Sequence, residues 1–270
     1  MKKKRPIIII SLIILLLFLG GWYFVSHQNN GYQTSDTIKT GQLRDTTFSL
    51  VSSAENSTLN YKKQYGYIED IGDGRGYTAG IIGFTAKTGD LRDVVLHYQK
   101  LRLNNRLTKY LPALKNVQGS ASHKGLGKAF VRDWKLAAND KKFIQAQNKV
   151  LNQQYMEPAL KAAKKDDLGA LGQYIYYDAL VVHGPGNNAD SFGGIRKQAM
   201  KIAKTPSQDG SQSTYLREFL KVRSKVMLKE KAHQDLSRLN VQLQFIHEKK
   251  FKLQRPLNWK MYGDEYHLDK

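Results

Sequence analysis

The chain has 270 residues, with 43 Lys and Arg against 23 Asp and Glu, a formal charge of +20, 41% hydrophobic residues and no cysteine. That length fits one large domain or two small lobes with a real core. The lack of cysteine excludes a disulfide framework, a thiolate zinc site, a catalytic thiol and a lipidated cysteine, so packing alone must hold the fold.

In chain order the first signal is the basic cluster Met1-Lys-Lys-Lys-Arg5, followed by an apolar run from Ile7 to Val25 broken only by Ser11 and two glycines. At about 1.5 Å per residue, this run is just long enough to cross a hydrocarbon core of about 30 Å. The basic flank predicts an inside N-terminus and an extracellular remainder, either secreted or tethered to the outer face of the membrane. The exit Trp22-Tyr-Phe-Val-Ser-His27 has no small-residue cleavage site, so residues 1–26 read as an uncleaved membrane anchor, with a cleaved signal peptide as the alternative. Residues 27–40 are polar and unpatterned, a linker, and the folded part spans 41–270.

Leu43, Phe48, Leu50 and Val51 fit helical spacing loosely, which predicts a helix over Gln42–Ala54 ending before Asn56-Ser57. Gln64–Ile71 and Tyr77–Thr85 are rich in Tyr, Ile and Thr and flank Gly72-Asp-Gly-Arg-Gly76, a strand–turn–strand pattern. Beyond Thr88-Gly-Asp90 the period becomes helical: Leu91, Val94, Val95 and Tyr98, then Phe143, Ala146, Val150 and Leu151. Leu168–Val182 is apolar nearly all round with Asp178 embedded in it, the pattern of a central helix. Helices follow at Tyr215–Leu228 and Leu236–His247, and loops at Gly119–Gly127, His183–Asn188 and Thr205–Ser213. The fold class is mainly α, with one small sheet inserted early.

A helix carrying a glutamate, followed by a small sheet carrying an aspartate, is a lysozyme-like arrangement. Glycosidases need a carboxylic acid to protonate the leaving oxygen and a carboxylate on the other side of the sugar. Glu55 follows the apolar Leu50-Val51, which would shield it and favour its protonated form, while exposure of Asp73 in the glycine turn would keep it ionised. The plain alternative is a helix-end glutamate and a turn-forming aspartate.

Leu50-Val-Ser-Ser-Ala-Glu-Asn-Ser-Thr-Leu59 and Gln64-Tyr-Gly-Tyr-Ile-Glu-Asp-Ile-Gly-Asp-Gly-Arg-Gly-Tyr-Thr78 resemble the signature of glycoside hydrolase family 46 chitosanases. The resemblance continues in Gly83-Phe-Thr-Ala-Lys-Thr-Gly-Asp90, Lys109-Tyr-Leu-Pro-Ala-Leu114, Tyr176-Tyr-Asp-Ala179, His183-Gly-Pro-Gly186 and Ser191-Phe-Gly-Gly-Ile-Arg196. It implies two helical lobes with the small sheet in one and a substrate cleft between them, endo-acting and inverting hydrolysis, no cofactor, and a monomer. It further implies that Glu55 is the general acid, that Asp73 is the general base acting through water, and that Thr78 helps hold that water. Asp178 would be bracketed by Arg223 and Arg238, with Arg238 reaching Glu55. Asp90, Arg75, Glu230 and His233 would be substrate contacts, and Gln234 stands where relatives carry an acid.

The substrate implied is chitosan, whose glucosamine units carry ammonium groups. From Glu55 to Asp93 there are six acids and five bases, a net of −1, which leaves +21 for the rest of the chain. The acids gather where the chemistry would sit, as a cationic substrate requires. No His/Asp/Glu cluster has metal-ligand spacing, and His183 reads as structural. Two other classes fit less of the sequence. One is a lysozyme-like muramidase acting on peptidoglycan. The other is a non-enzymatic, membrane-anchored binder of anionic wall polymers or nucleic acid, disfavoured because the basic residues form no recognised nucleic-acid motif.

Overall fold

In the computed structural model, residues 37–229 and 234–269 are described. The anchor or signal segment 1–26, most of the linker, Glu230 and His233 lie outside the described residues. Among the described residues no helix is long and apolar enough to cross a membrane.

Helix α1 is Gly41–Asn56, longer than its loose periodicity predicts. Its inner face joins Phe48, Leu50 and Val51 to the buried small polar residues Thr46, Thr47, Ser49, Ser52 and Ser53. Small side chains let other backbone approach closely but weaken the apolar period, which explains the shortfall in the sequence reading. Ser57 ends the helix in the left-handed region, at φ 48°.

The sheet differs from the two long strands expected. Gln64 belongs to a 3-10 turn over Tyr61–Gly66, and β1 is only Ile68–Asp70. The second stretch divides into β2, Tyr77–Ala79, and β3, Phe84–Thr85. The three strands pair antiparallel, with Asp70 opposite Tyr77 and Thr78 opposite both Glu69 and Thr85. Gly80 forces the division: its φ is +77°, and a Cβ there would meet Gln147 Oε1 at 2.5 Å. Gln147 is buried; it accepts from the Ile81 amide (3.1 Å) and donates to the Tyr65 carbonyl (2.8 Å). One glutamine thus ties the entry to β1 and the exit from β2 to the helix that carries it.

The remaining helices are α2 (Asp90–Leu101), α3 (Leu111–Asn116), α4 (Lys128–Ala137), α5 (Lys141–Leu151), α6 (Glu157–Lys165), α7 (Ala170–His183), α8 (Phe192–Ile202), α9 (Gln212–Met227) and α10 (Ser237–His247). Helix α7 is the central helix anticipated, with Tyr174, Ile175, Tyr176, Tyr177 and Asp178 fully buried. Helices α1, α6, α8, α9 and α10 pack against it. A second sheet, missing from the sequence reading, closes the chain: β4 (Leu257–Met261) pairs antiparallel with β5 (Asp264–Leu268). Its inner residues Leu257, Trp259 and Met261 alternate with exposed Asn258 and Lys260, a period-2 signal that was present in the sequence. Trp259 stacks on Tyr266 and donates from Nε1 to Ser53 Oγ (3.0 Å), joining the hairpin to α1 two residues before Glu55.

Candidate active site

Glu55 is the penultimate residue of α1, and its side chain is 44% exposed. The apolar shielding expected from Leu50 and Val51 is absent, because the helix face that carries Val51 into the core runs out into solvent one turn later. The Glu55 carboxylate instead accepts from Arg238 Nη1.

Arg238 belongs to a buried ionic lattice. Its Nε and Nη2 both donate to Asp178 Oδ1, at 2.9 and 2.6 Å. Asp178 Oδ2 accepts from Arg223 Nη1 and from Gln242 Nε2, each at 2.7 Å. Arg223 Nη1 also donates to Gln242 Oε1 (3.2 Å), and its Nε to His183 Nε2 (3.2 Å). Asp178, Arg223 and Gln242 have no exposed surface, and Arg238 has almost none. Burial alone would raise the Asp178 pKa, but the Arg238 and Arg223 guanidiniums outweigh it and hold the carboxyl well below the usual range. For Arg238 burial likewise opposes the charge, and Asp178 with Glu55 overcomes it, so this guanidinium stays firmly protonated.

The arrangement of Asp178 between Arg223 and Arg238, with Arg238 touching Glu55, is the one the resemblance implied. Gln242 and the His183 contact were not anticipated. Gln242 lies one turn beyond Arg238 on α10, so their i, i+4 spacing was the available signal.

Asp73 is placed differently. It sits in the exposed turn between β1 and β2, with a side chain 28% exposed. Its Oδ1 accepts the Arg75 amide (2.9 Å) and its Oδ2 the Arg75 Nε (2.6 Å). The slight burial raises its pKa, whereas the Arg75 side chain and backbone N–H bring it below the ordinary value overall. Arg75 thus favours the ionised form of Asp73. Thr78, one residue into β2, is buried, and among the described residues no protein group bonds its Oγ1.

Asp90, expected as a substrate contact, opens α2 and is 5% exposed. Its Oδ1 accepts from the Thr85 amide, Thr88 Oγ1 and the Leu91 amide, and its Oδ2 from Tyr155 OH (2.8 Å). Burial pushes its pKa up. The residue orders the joint between β3 and α2, a structural task invisible in the sequence because Tyr155 comes from a distant segment. Gln234 donates to the Leu228 carbonyl (2.9 Å). No cluster of three metal-ligating side chains occurs among the described residues.

The family model for glycosyl hydrolase family 46 matches residues 49–257. A chitosanase of Streptomyces sp. strain N174 is 54% identical over 241 residues, covering 87% of each chain. A chitosanase of Bacillus subtilis strain 168 is 37% identical over 221 residues, 77% of this chain and 78% of that one. Among solved structures, a chitosanase co-crystallised with substrate superposes with a TM-score of 0.84 at 46% identity, covering 87% of this chain and 99% of the other. The mainly helical, lysozyme-like fold is shared with these proteins. With the family model spanning most of the folded region and such relatives on either side, the chain belongs to glycosyl hydrolase family 46 and is a glycosidase.

Proposed function

We propose that the chain is an endo-acting chitosanase that hydrolyses β-1,4 linkages between glucosamine units with inversion, Glu55 acting as general acid and Asp73 as general base. The observation that carries this reading is the unlike setting of two carboxylates at the family's motif positions: Glu55 against a buried arginine lattice, Asp73 in an exposed turn. Glu55 gives its proton to the glycosidic oxygen as the bond to C1 breaks. Water attacks C1 from the opposite face, and Asp73 takes its proton. Inversion needs the two carboxyl groups roughly 6.5–9.5 Å apart to leave room for that water. The Thr78 hydroxyl, without a protein partner among the described residues, is suited to orient it, because a hydroxyl both donates and accepts.

The Arg238 guanidinium that Glu55 meets brings a positive field into the acid's surroundings. Asp178, bonded to the same guanidinium, offsets part of that positive field. Arg75 favours the ionised form of Asp73, which suits a base. Among the described residues Asp90 Oδ2 has a single donor, so a lone pair remains for a substrate ammonium. Arg75, Glu230 and His233 complete the proposed substrate contacts. The muramidase and anchored-binder readings gain no support from the relatives above. The basic flank and apolar run at the N-terminus support export, as a tethered or released enzyme.

The test is to incubate the purified full chain with chitosan, chitin and peptidoglycan, count new reducing ends, and follow the first product anomer by NMR. New ends from chitosan bearing the α-anomer are expected. Release only from peptidoglycan, or a β-anomer, would overturn the substrate or the stereochemistry respectively. Fractionation and N-terminal sequencing of the same preparation decide between tether and cleaved leader.

A further inference from the structure

We propose that His123 is a positioning residue for Asp73, gripping the turn that carries it from a loop distant in sequence. The inference rests on Asp73 as the general base.

The last ladder rung before the turn is Asp70 opposite Tyr77. Beyond it the chain runs through Gly72, Gly74 and Gly76, all at positive φ (73°, 79° and 70°). Such a turn is easy to form and offers little intrinsic rigidity, since glycine admits many backbone states. A base borne on it needs anchorage from elsewhere, because misplacement by about 1 Å can cost roughly 10²-fold in rate.

His123 supplies that anchorage on both legs of the rung at once. Its Nε2 lies 3.2 Å from Asp70 Oδ2, within ion-pair range though off the line of a hydrogen bond. Its ring packs on Tyr77 with centroids 4.4 Å apart. The other Asp70 oxygen accepts the Gly72 amide (2.9 Å), so one carboxylate links the imidazole to the first residue of the turn. A second line runs through Lys87. Its carbonyl accepts the Gly119 amide (2.9 Å), its amide donates to the Arg75 carbonyl (3.1 Å), and its Nζ to the Gly74 carbonyl (3.4 Å). Between these lines the Ala121 backbone comes within 3.6 Å of where a Cβ on Gly76 would stand. Residues 119–123 therefore brace the turn on both sides of Asp73, and the His123 side chain touches both strands at the rung.

The side chain of His123 is 36% exposed and belongs to no core cluster, so removing it should perturb the turn more than the fold. Its partners are Asp70 and Tyr77 rather than Asp73, so its effect is on the placement of the base and shows in turnover. The experiment compares kcat, KM and melting temperature for His123→Ala, His123→Gln, Asp73→Asn and the Asp73→Asn/His123→Ala double variant on chitosan. Expected for His123→Ala is a fall in kcat of about tenfold, less than a full 1 Å misplacement, with melting close to wild type. KM should rise by less than kcat falls, because of the proposed substrate contacts only Arg75 lies in this turn. His123→Gln, which keeps an N–H donor, should recover part of the loss. In the Asp73→Asn background, His123→Ala should cost nothing further. Wild-type kcat in His123→Ala, or an equal loss with and without Asp73, overturns the inference while leaving the base assignment intact. Wild-type kcat in Asp73→Asn overturns the base assignment itself.

Discussion

Around Glu55 the protein uses buried charge, whereas around Asp73 it uses a short exposed turn. The acid end of the site sets Glu55 of α1 against α7, α9 and α10, which bring together one carboxylate, two guanidiniums and an amide with scarcely any contact with water. The base end is local: Arg75, two residues from Asp73, supplies three of its contacts. The contrast bears on what each end can tolerate. A buried ionic lattice is costly to assemble and more costly to leave half-made, so the acid's surroundings are tied to the stability of the whole fold. The turn carries little folding energy, so changes there should reach activity alone.

The sharpest test of that contrast removes the two carboxylates while conserving shape. Glu55→Gln and Asp73→Asn should each lower kcat by at least the roughly 10²–10⁴-fold of general acid–base catalysis. Both should melt close to wild type, because Arg238 keeps Asp178 as its partner in the first case. Near wild-type turnover in either variant would remove that residue from its role.

The next largest effect belongs to Asp178. Asp178→Ala leaves Arg223 and Arg238 buried without their carboxylate, a change that costs about 3–5 kcal/mol out of a typical total of roughly 5–15 kcal/mol. Melting temperature and activity should fall together. Arg238→Ala should behave similarly, and the double variant should lose less than the sum. Because the folded-state pKa of Asp178 is depressed, its contribution is present above the ordinary carboxylate range and fades only as pH falls below it. If Asp178→Ala melts like wild type, the lattice does not couple the acid to the fold.

The same contrast explains which features were legible in the sequence. Helix α7 stood out because a long run is apolar on every face, and Asp178 because a lone charge inside such a run demands partners. The glycine turn was legible because its chemistry is local. Helix α1 was half-legible, since its serines and threonines lie in the core where only the fold reveals what they pack against. The sheet was misdrawn because Gly80 breaks it to admit Gln147, a residue 67 positions away. The β4–β5 hairpin carried its own period-2 signal and could have been found. The internal donors of Asp90 were not legible, because Thr85, Thr88 and Tyr155 assemble around it only on folding. Long-range pairing, rather than weak local propensity, accounts for most of what was missed.

The smallest expected effect, and the most specific to the base end, is a shift in pH dependence. Asp73 must be ionised to accept a proton, and Arg75 lowers its pKa through both its guanidinium and its amide. Arg75→Gln removes the guanidinium but keeps the backbone N–H, so the Asp73 pKa should rise part of the way back toward its ordinary value. The fraction of ionised base then falls at acid pH and is unchanged where Asp73 is already fully ionised. The acid limb of kcat/KM, which reports ionisation in the free enzyme, should move to higher pH. Loss of a substrate contact by Arg75 would instead lower kcat/KM by one factor at every pH, so a full profile separates the two roles. Melting should not change, because an exposed pair of this kind is worth only about 0–1 kcal/mol. An acid limb that stays in place would mean that Arg75 does not control the charge of Asp73.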